Sequence, residues 1–408
     1  MRILYFAPRE CLPPNTGAKL RNYHLARELG RTAEVTYLGF RDEGSASSQE
    51  MSACNRVISV EHKGGYSFAK MVRGLIGRTP LPVLNYTTRE MKEELRWLLV
   101  ENDFDAIQVE GIHLLSYLPI IRSASSRAVI VCDWHNIESE LMRRYSQQTT
   151  GARKFYARVT ARKLEEMERR AMREFDAHTV VSERDRNRLL EIAPRARVFL
   201  IENGVDTKHY SDDEIERAYL SWSQRSDAAE RNRLLFVGSM DYHANIDAVV
   251  SFAHSVWPAI QSRHPRLIFT IVGRNPSPEV RSLTEIPNVE VTGTVEDTRP
   301  YYREALASLV PLRVGSGSRL KILESMAAGV PVISTRLGAE GLDVTDGENI
   351  LIAETAEEFS RAIADLSRDD SLRSKLKEAG RSLVQKKYDW SAIGAELMGA
   401  HLSLMGRR

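Results

Sequence analysis

Pro311-Leu-Arg-Val-Gly-Ser-Gly-Ser-Arg-Leu-Lys-Ile-Leu-Glu-Ser-Met-Ala-Ala-Gly-Val-Pro-Val-Ile-Ser-Thr335 reads as the end of a strand, a glycine loop, a helix from about Ser318 and the start of the next strand. Gly315 and Gly317 free the loop backbone to turn and to approach a ligand closely, and the helix aims its unpaired N–H groups and positive dipole end at the same place. A phosphate fits there. Arg319 and Lys321 add two cations in the first turn, where they oppose the helix dipole, and an anion between them resolves that conflict. Glu324, farther along, offers a carboxylate to two vicinal hydroxyls, so diphosphate plus ribose suits the segment. Taken alone, Gly-x-Gly also suits a plain strand-to-helix turn with exposed basic residues.

The same alternation extends in both directions. Short apolar runs at Ile3–Phe6, Val35–Leu38, Val57–Val60, Ala106–Val109, Ala128–Cys132 and Ala177–Val181 are separated by helical stretches, among them Lys19–Leu29 and a long one-faced helix from about Arg153 to Glu174. After a polar stretch, 212–233, the pattern restarts at Leu234–Ser239 and runs through Arg266–Gly273, Val289–Gly293 and Leu309–Leu312 to Pro331–Ser334. Strands alternating with helices predict parallel sheets covered on both faces. A chain of 408 residues is too long for one core. The expectation is two Rossmann-like α/β domains.

Apolar residues make up 42% of the chain and aromatic ones 7%, as in soluble globular proteins, and no run approaches the roughly 20 apolar residues of a membrane span. The start, Met1-Arg-Ile-Leu-Tyr-Phe, does not read as a signal peptide, so a cytoplasmic protein is expected. Cys11, Cys54 and Cys132 have neither metal nor disulfide spacing. Residues 1–200 carry 32 Lys/Arg against 25 Asp/Glu and the remainder 25 against 30. That excess falls short of a nucleic-acid footprint, but it suits an anionic acceptor or a peripheral contact at the inner face of a membrane. Tyr66–Arg78 mixes apolar and cationic residues and reads either as a partly buried helix or as one that touches lipid.

Leu323-Glu-Ser-Met-Ala-Ala-Gly-Val-Pro-Val-Ile-Ser-Thr335, followed by Gly338-Ala-Glu-Gly-Leu342, resembles the donor-site signature of the retaining GT-B glycosyltransferases of the group 1 (family 4) superfamily. In that family two glutamates eight positions apart straddle the loop. Glu324 matches the second, whereas Ser316 stands in place of the first, and a Gly-x-Gly-x-Arg-x-Lys-x-x-Glu subset, typical of exopolysaccharide-type transferases, is closer. The resemblance implies a GT-B fold, two Rossmann-like domains facing each other across a cleft, and transfer of a hexose-type sugar from a nucleoside diphosphate-sugar to a polysaccharide or lipid-linked glycan. It also implies retention at the anomeric carbon and no metal or other cofactor, and it implies domains at 1–204 and 205–389, with a last helix at 390–408 returning to the first. Two other readings use the same fold, a nucleotide-sugar epimerase and a non-catalytic nucleotide-sugar binder.

Carried over by resemblance, the catalytic candidates are His135 in Asp133-Trp-His-Asn136, His113 in Glu110-Gly-Ile-His113, Arg319 and Lys321. The donor-binding candidates are Gly17, Gly238, Ser239, Gly273, Arg274, Val295, Gly315, Ser316, Gly317, Ser318, Leu320 and Glu324. Gly17 lies with Lys19 and Arg21 in the loop after the first strand. Ser239 and Ala244 replace the family's Arg and Lys in the loop Gly238–Asn245, so Arg319 and Lys321, with His243, are expected to supply the missing charge. Asp103-Phe-Asp105 spells the metal-binding Asp-x-Asp of other transferases, but it precedes a strand, whereas a diphosphate metal needs carboxylates at a strand's carboxyl end.

Overall fold

The computed structural model describes all residues except 15, 43–50, 63–66, 126, 224–231, 315–318 and 407–408, and the backbone alone at 68 and 148. It divides into two compact units, Met1–Asn203 with Trp390–Arg408, and Gly204–Asp389.

The first unit holds a parallel sheet of β1 (Arg2–Phe6), β2 (Glu34–Asp42), β3 (Arg56–His62), β4 (Ala106–Glu110), β5 (Val129–Trp134), β6 (Ala177–Val180) and β7 (Val198–Leu200), in the order β3-β2-β1-β4-β5-β6-β7. Ile3, Leu4, Tyr5 and Phe6 are all fully buried, because helices cover both faces and each side of the strand needs apolar contact. The long helix Gly151–Glu174 buries Ala157, Ala161, Leu164, Ala171 and Met172 at helical spacing. Trp390–Met405 packs on Gly17–Leu29: the Trp390 ring stacks on His24 at 5.0 Å, and a Cβ on Gly394 would stand 2.3 Å from Cβ of Glu28.

The second unit holds β8 (Arg233–Val237), β9 (Ile268–Val272), β10 (Val289–Gly293), β11 (Ala305–Val310), β12 (Val332–Ser334) and β13 (Leu351–Ile352), again parallel, in the order β10-β9-β8-β11-β12-β13. The chain winds outward from β8 to β10 and then crosses to the other side of β8 to start β11. That reversal opens a crevice at the carboxyl ends of β8 and β11, the place where open α/β sheets bind ligands. In the first unit the reversal falls between β1 and β4. Asp105 lies at the opposite, amino end of that sheet, where its Oδ2 accepts from the Arg2 amide at 2.7 Å.

Candidate functional site

The crevice of the second unit is built by the segments after β8 and β11. Gly238 follows β8 and Gly273 follows β9, and a Cβ on Gly273 would fall 1.7 Å from the Gly238 carbonyl oxygen, so the two turns meet backbone to backbone. Ser239 Oγ donates to Asp241 Oδ1 at 2.6 Å and accepts from Arg274 Nε at 2.9 Å. Asn245, in the first turn of the helix His243–Ser255, donates from Nδ2 to the Ser239 carbonyl at 2.9 Å. The same amide accepts from Lys321 Nζ at 2.6 Å, which joins the β8 loop to the helix after β11.

That helix runs Leu320–Ala327 with Arg319 as its N-cap, slightly later than the start near Ser318 expected from sequence. Lys321 lies in the first turn with its ammonium 4.2 Å from the Phe236 ring centroid. Burial, partly offset by Glu324 and reinforced by Arg319, lowers its pKa to about 7. Glu324 is half-buried beside Tyr210 and Tyr302, whose rings meet edge to face at 5.7 Å. Burial pushes its carboxyl up to about 7 despite the pull of Lys321 and the two phenols. Arg319 is nearly buried and reaches Glu340 through its carbonyl and Oε2, each at 3.4 Å. The crevice thus has an ammonium, a guanidinium and a helix N-terminus on one wall, which suits a diphosphate, with a carboxylate one turn deeper for hydroxyls.

Gly238, Ser239, Gly273, Arg274, Arg319, Leu320, Lys321 and Glu324 therefore come from two strand ends, those of β8 and β9, and from one helix with its N-cap. Val295 follows β10, two strands from β8, and packs against the core. Gly315, Ser316, Gly317 and Ser318 lie outside the described residues. His243 is exposed, with its ring 4.8 Å from that of Tyr242, and makes no contact with Lys321 among those described. The sequence alone does not point to Tyr210 and Tyr302, and it gives Asn245 no role of its own. Asn245 closes the loop Gly238–Asn245 after β8, whereas nothing local marks the two tyrosines.

In the first unit, His135 follows β5, His113 lies on the 3-10 turn Ile112–Tyr117 after β4, and Gly17 begins the helix Gly17–Leu29 after the β1 loop. His135 Nε2 lies 2.8 Å from Glu110 Oε2 and 3.2 Å from Asp133 Oδ2, both carboxylates being buried. Burial opposes the charged ring, but hydrogen bonds to Asp133 and Glu110 raise its pKa to about 9. His113, half-buried, falls to about 4 through desolvation and the nearby charge of His135. Two neighbouring histidines are thus held in opposite protonation states at neutral pH.

Arg21 departs from its expected place in a ligand loop. Its guanidinium is buried, with Nε and Nη2 donating to Asp133 Oδ2 and Oδ1 at 2.9 and 2.8 Å and Nη1 to the Glu202 carbonyl at 2.9 Å. Burial works to raise the Asp133 pKa, but Arg21 and His135 outweigh it and keep Asp133 ionised, whereas burial and the Asp133 charge raise Glu110. One donor atom from each of Glu110, Asp133 and His135 lies within 4.8 Å of the others. Arg21 already pairs with both carboxylate oxygens of Asp133 in this group.

Residues 16–209 match the family model described as Glycosyltransferase Family 4, and residues 231–369 match Glycosyl transferases group 1. The chain is 26% identical over 212 residues, half of its length and 52% of the relative's, to a phosphatidyl-myo-inositol mannosyltransferase of Mycolicibacterium smegmatis. It is 37% identical over 111 residues, 26% of its length and 31% of the relative's, to the lipopolysaccharide core biosynthesis glycosyltransferase LpsE of Rhizobium meliloti. These matches span about half or less of the curated relatives' length. Among solved structures, sucrose-phosphate synthase from Thermosynechococcus elongatus superposes with a TM-score of 0.70 at 16% identity, covering 100% of both chains. Anabaena HepE, solved with UDP and glucose, superposes with a TM-score of 0.64 at 15% identity, covering 98% of this chain and 99% of that one. The fold is accordingly GT-B.

Proposed function

The chain belongs to the group 1/family 4 glycosyltransferases, and from that premise we propose that it transfers a hexose-type sugar from a nucleoside diphosphate-sugar to a polysaccharide or lipid-linked glycan, with retention and without a metal. The observation that carries this reading is the Lys321–Asn245 bridge at the crevice between β8 and β11. It sets an ammonium beside a helix N-terminus, where the charge of a departing nucleoside diphosphate needs stabilising. Lys321, Arg319 and the amino end of Leu320–Ala327 oppose the negative charge that grows as the glycosidic bond breaks. Glu324 accepts from the ribose hydroxyls and so orients the nucleotide. In the first unit, the imidazolium of His135 and the neutral ring of His113 face the acceptor side and offer hydrogen bonds to sugar hydroxyls. Contact with the inner face of a membrane belongs to the same reading when the acceptor is lipid-linked.

The test is a thermal-shift titration with UDP, GDP, ADP and their sugar conjugates, each with and without chelator, followed by product analysis with and without acceptor glycans. The UDP and glucose bound to HepE make UDP-glucose the first donor to try. Stabilisation that survives chelation, disappears in Glu324→Ala and is accompanied by acceptor-dependent release of nucleoside diphosphate supports the proposal. An isomerised donor formed without acceptor would replace it with an epimerase, and binding without turnover would replace it with a nucleotide-sugar binder.

A further inference from the structure

A concavity of about 510 Å³ lies in the first unit at the amino ends of β6 and β7, whereas the His135 cluster lies at the carboxyl ends of β4 and β5. Buried Met172, Phe175 and His178 form part of its lining, together with the exposed side chains of Arg173, Arg195 and Arg197. Arg173 comes from the last turn of the helix Gly151–Glu174, and Arg195 and Arg197 from the turn between the helix Glu183–Ile192 and β7. The three guanidiniums make no ion pair among the described residues. Asp176, the one carboxylate in the lining, is already engaged, because its Oδ2 accepts from the Ile130 amide at 2.8 Å and from Arg122 Nη1 at 3.1 Å. Three uncompensated cations therefore converge on one concavity, which suits a phosphate.

His178 adds a donor. Its Nδ1 accepts from Trp134 Nε1 at 3.1 Å, which leaves the proton of the neutral ring on Nε2. That Nε2–H is buried and has no hydrogen-bond partner, the Met172 carbonyl being near but out of bonding geometry. Burial lowers the ring's pKa to about 4, so it stays neutral at physiological pH and keeps this donor. A buried donor without an acceptor costs free energy that a ligand oxygen recovers. The space is far larger than a phosphate ion needs, and Met172 and Phe175 offer apolar contact while guanidinium planes stack on flat rings.

We propose that this concavity binds an organic phosphate that carries a flat ring, of which a nucleoside monophosphate is the simplest. The phosphate lies among Arg173, Arg195 and Arg197, the ring lies toward Met172 and Phe175, and an oxygen of the ligand accepts from His178 Nε2. None of these residues belongs to the donor crevice or to the His135 cluster.

The test is isothermal titration of the full chain with AMP, GMP and UMP and with inorganic phosphate. At least one nucleotide should bind the wild type and Lys321→Met alike, since that substitution alters only the crevice. Arg195→Ala with Arg197→Ala should weaken the binding by about tenfold per guanidinium and keep the wild-type melting temperature, both side chains being exposed. Arg173→Ala, on a different segment, repeats the comparison should the double variant melt early. The His178 ring signals in proton NMR should move when the nucleotide binds. Binding that is lost in Lys321→Met and kept in the arginine variants would place the nucleotide in the crevice and overturn the proposal. So would a failure of all three nucleotides to bind, or a His178 signal that does not move in the bound protein. Inorganic phosphate binding as tightly as any nucleotide would also overturn it, because the ring would then have no part in recognition.

Discussion

Lys321 and Asn245 stand 76 residues apart in the chain, yet the ammonium donates to the amide oxygen at 2.6 Å. The Asn245 amide also donates to the Ser239 carbonyl, so a single side chain holds both the β8 loop and the cation at the start of Leu320–Ala327. Replacing it by alanine leaves a largely buried ammonium without an acceptor and releases the loop. We expect Asn245→Ala to weaken nucleoside diphosphate binding by about tenfold, the loss of roughly one charged hydrogen bond. Isothermal titration against the wild type checks this, and unchanged affinity would remove the bridge from the site.

A diphosphate arriving beside Lys321 raises a pKa that burial has lowered to about 7, so binding should draw in a proton when the free amine is neutral. Uptake is therefore expected between about pH 7 and the ordinary lysine value and should vanish in Lys321→Met. Titrations near pH 8.5 in buffers of different ionisation enthalpy measure it. An enthalpy independent of buffer would refute the assignment.

Arg21 and Asp133 form a buried two-point pair between the first helix and β5. Removing one partner strands the other charge, and Arg21→Met is expected to destabilise the protein by about 3–5 kcal/mol. Adding Asp133→Asn should cost less than the sum of the two single changes, since the second removes a charge already orphaned. Denaturant melts of the three variants decide between this and simple additivity.

His135 has a folded pKa of about 9 against an ordinary 6.5. A raised pKa means that the folded state holds its proton more tightly. The resulting stability is fully present below about pH 6.5 and is lost as pH rises through about 9. The wild type should lose melting temperature over that interval relative to His135→Gln. Parallel curves for the two proteins would show that the imidazolium does not stabilise the fold.

Gly273→Ala should be costly although the substitution is small, because its Cβ would fall 1.7 Å from the Gly238 carbonyl oxygen. Backbone must move to admit it, and overpacking of this kind costs about 1–3 kcal/mol. The shift displaces Arg274 and Ser239 as well, so a lower melting temperature should come with weaker nucleotide binding. A variant that melts and binds like the wild type would show that the two turns have room to separate.

By itself, the sequence determined what is local. The alternation of apolar runs with amphipathic stretches was readable because a strand buried on both faces must be apolar along its length, as Ile3–Phe6 is. The position of Arg319 and Lys321 at a helix start was readable because it depends on spacing within one turn of helix. Only the tertiary structure decided which of these pieces meet. It placed β11 beside β8 and thereby opened the crevice, joined Lys321 to Asn245, and turned Arg21 from a loop cation into the buried partner of Asp133, 112 residues away. It also left Met71, Val72, Leu75 and Ile76 exposed, where amphipathic periodicity alone allowed burial or exposure. Such outcomes depend on which distant groups share a desolvated space, and periodicity along the chain carries no record of that.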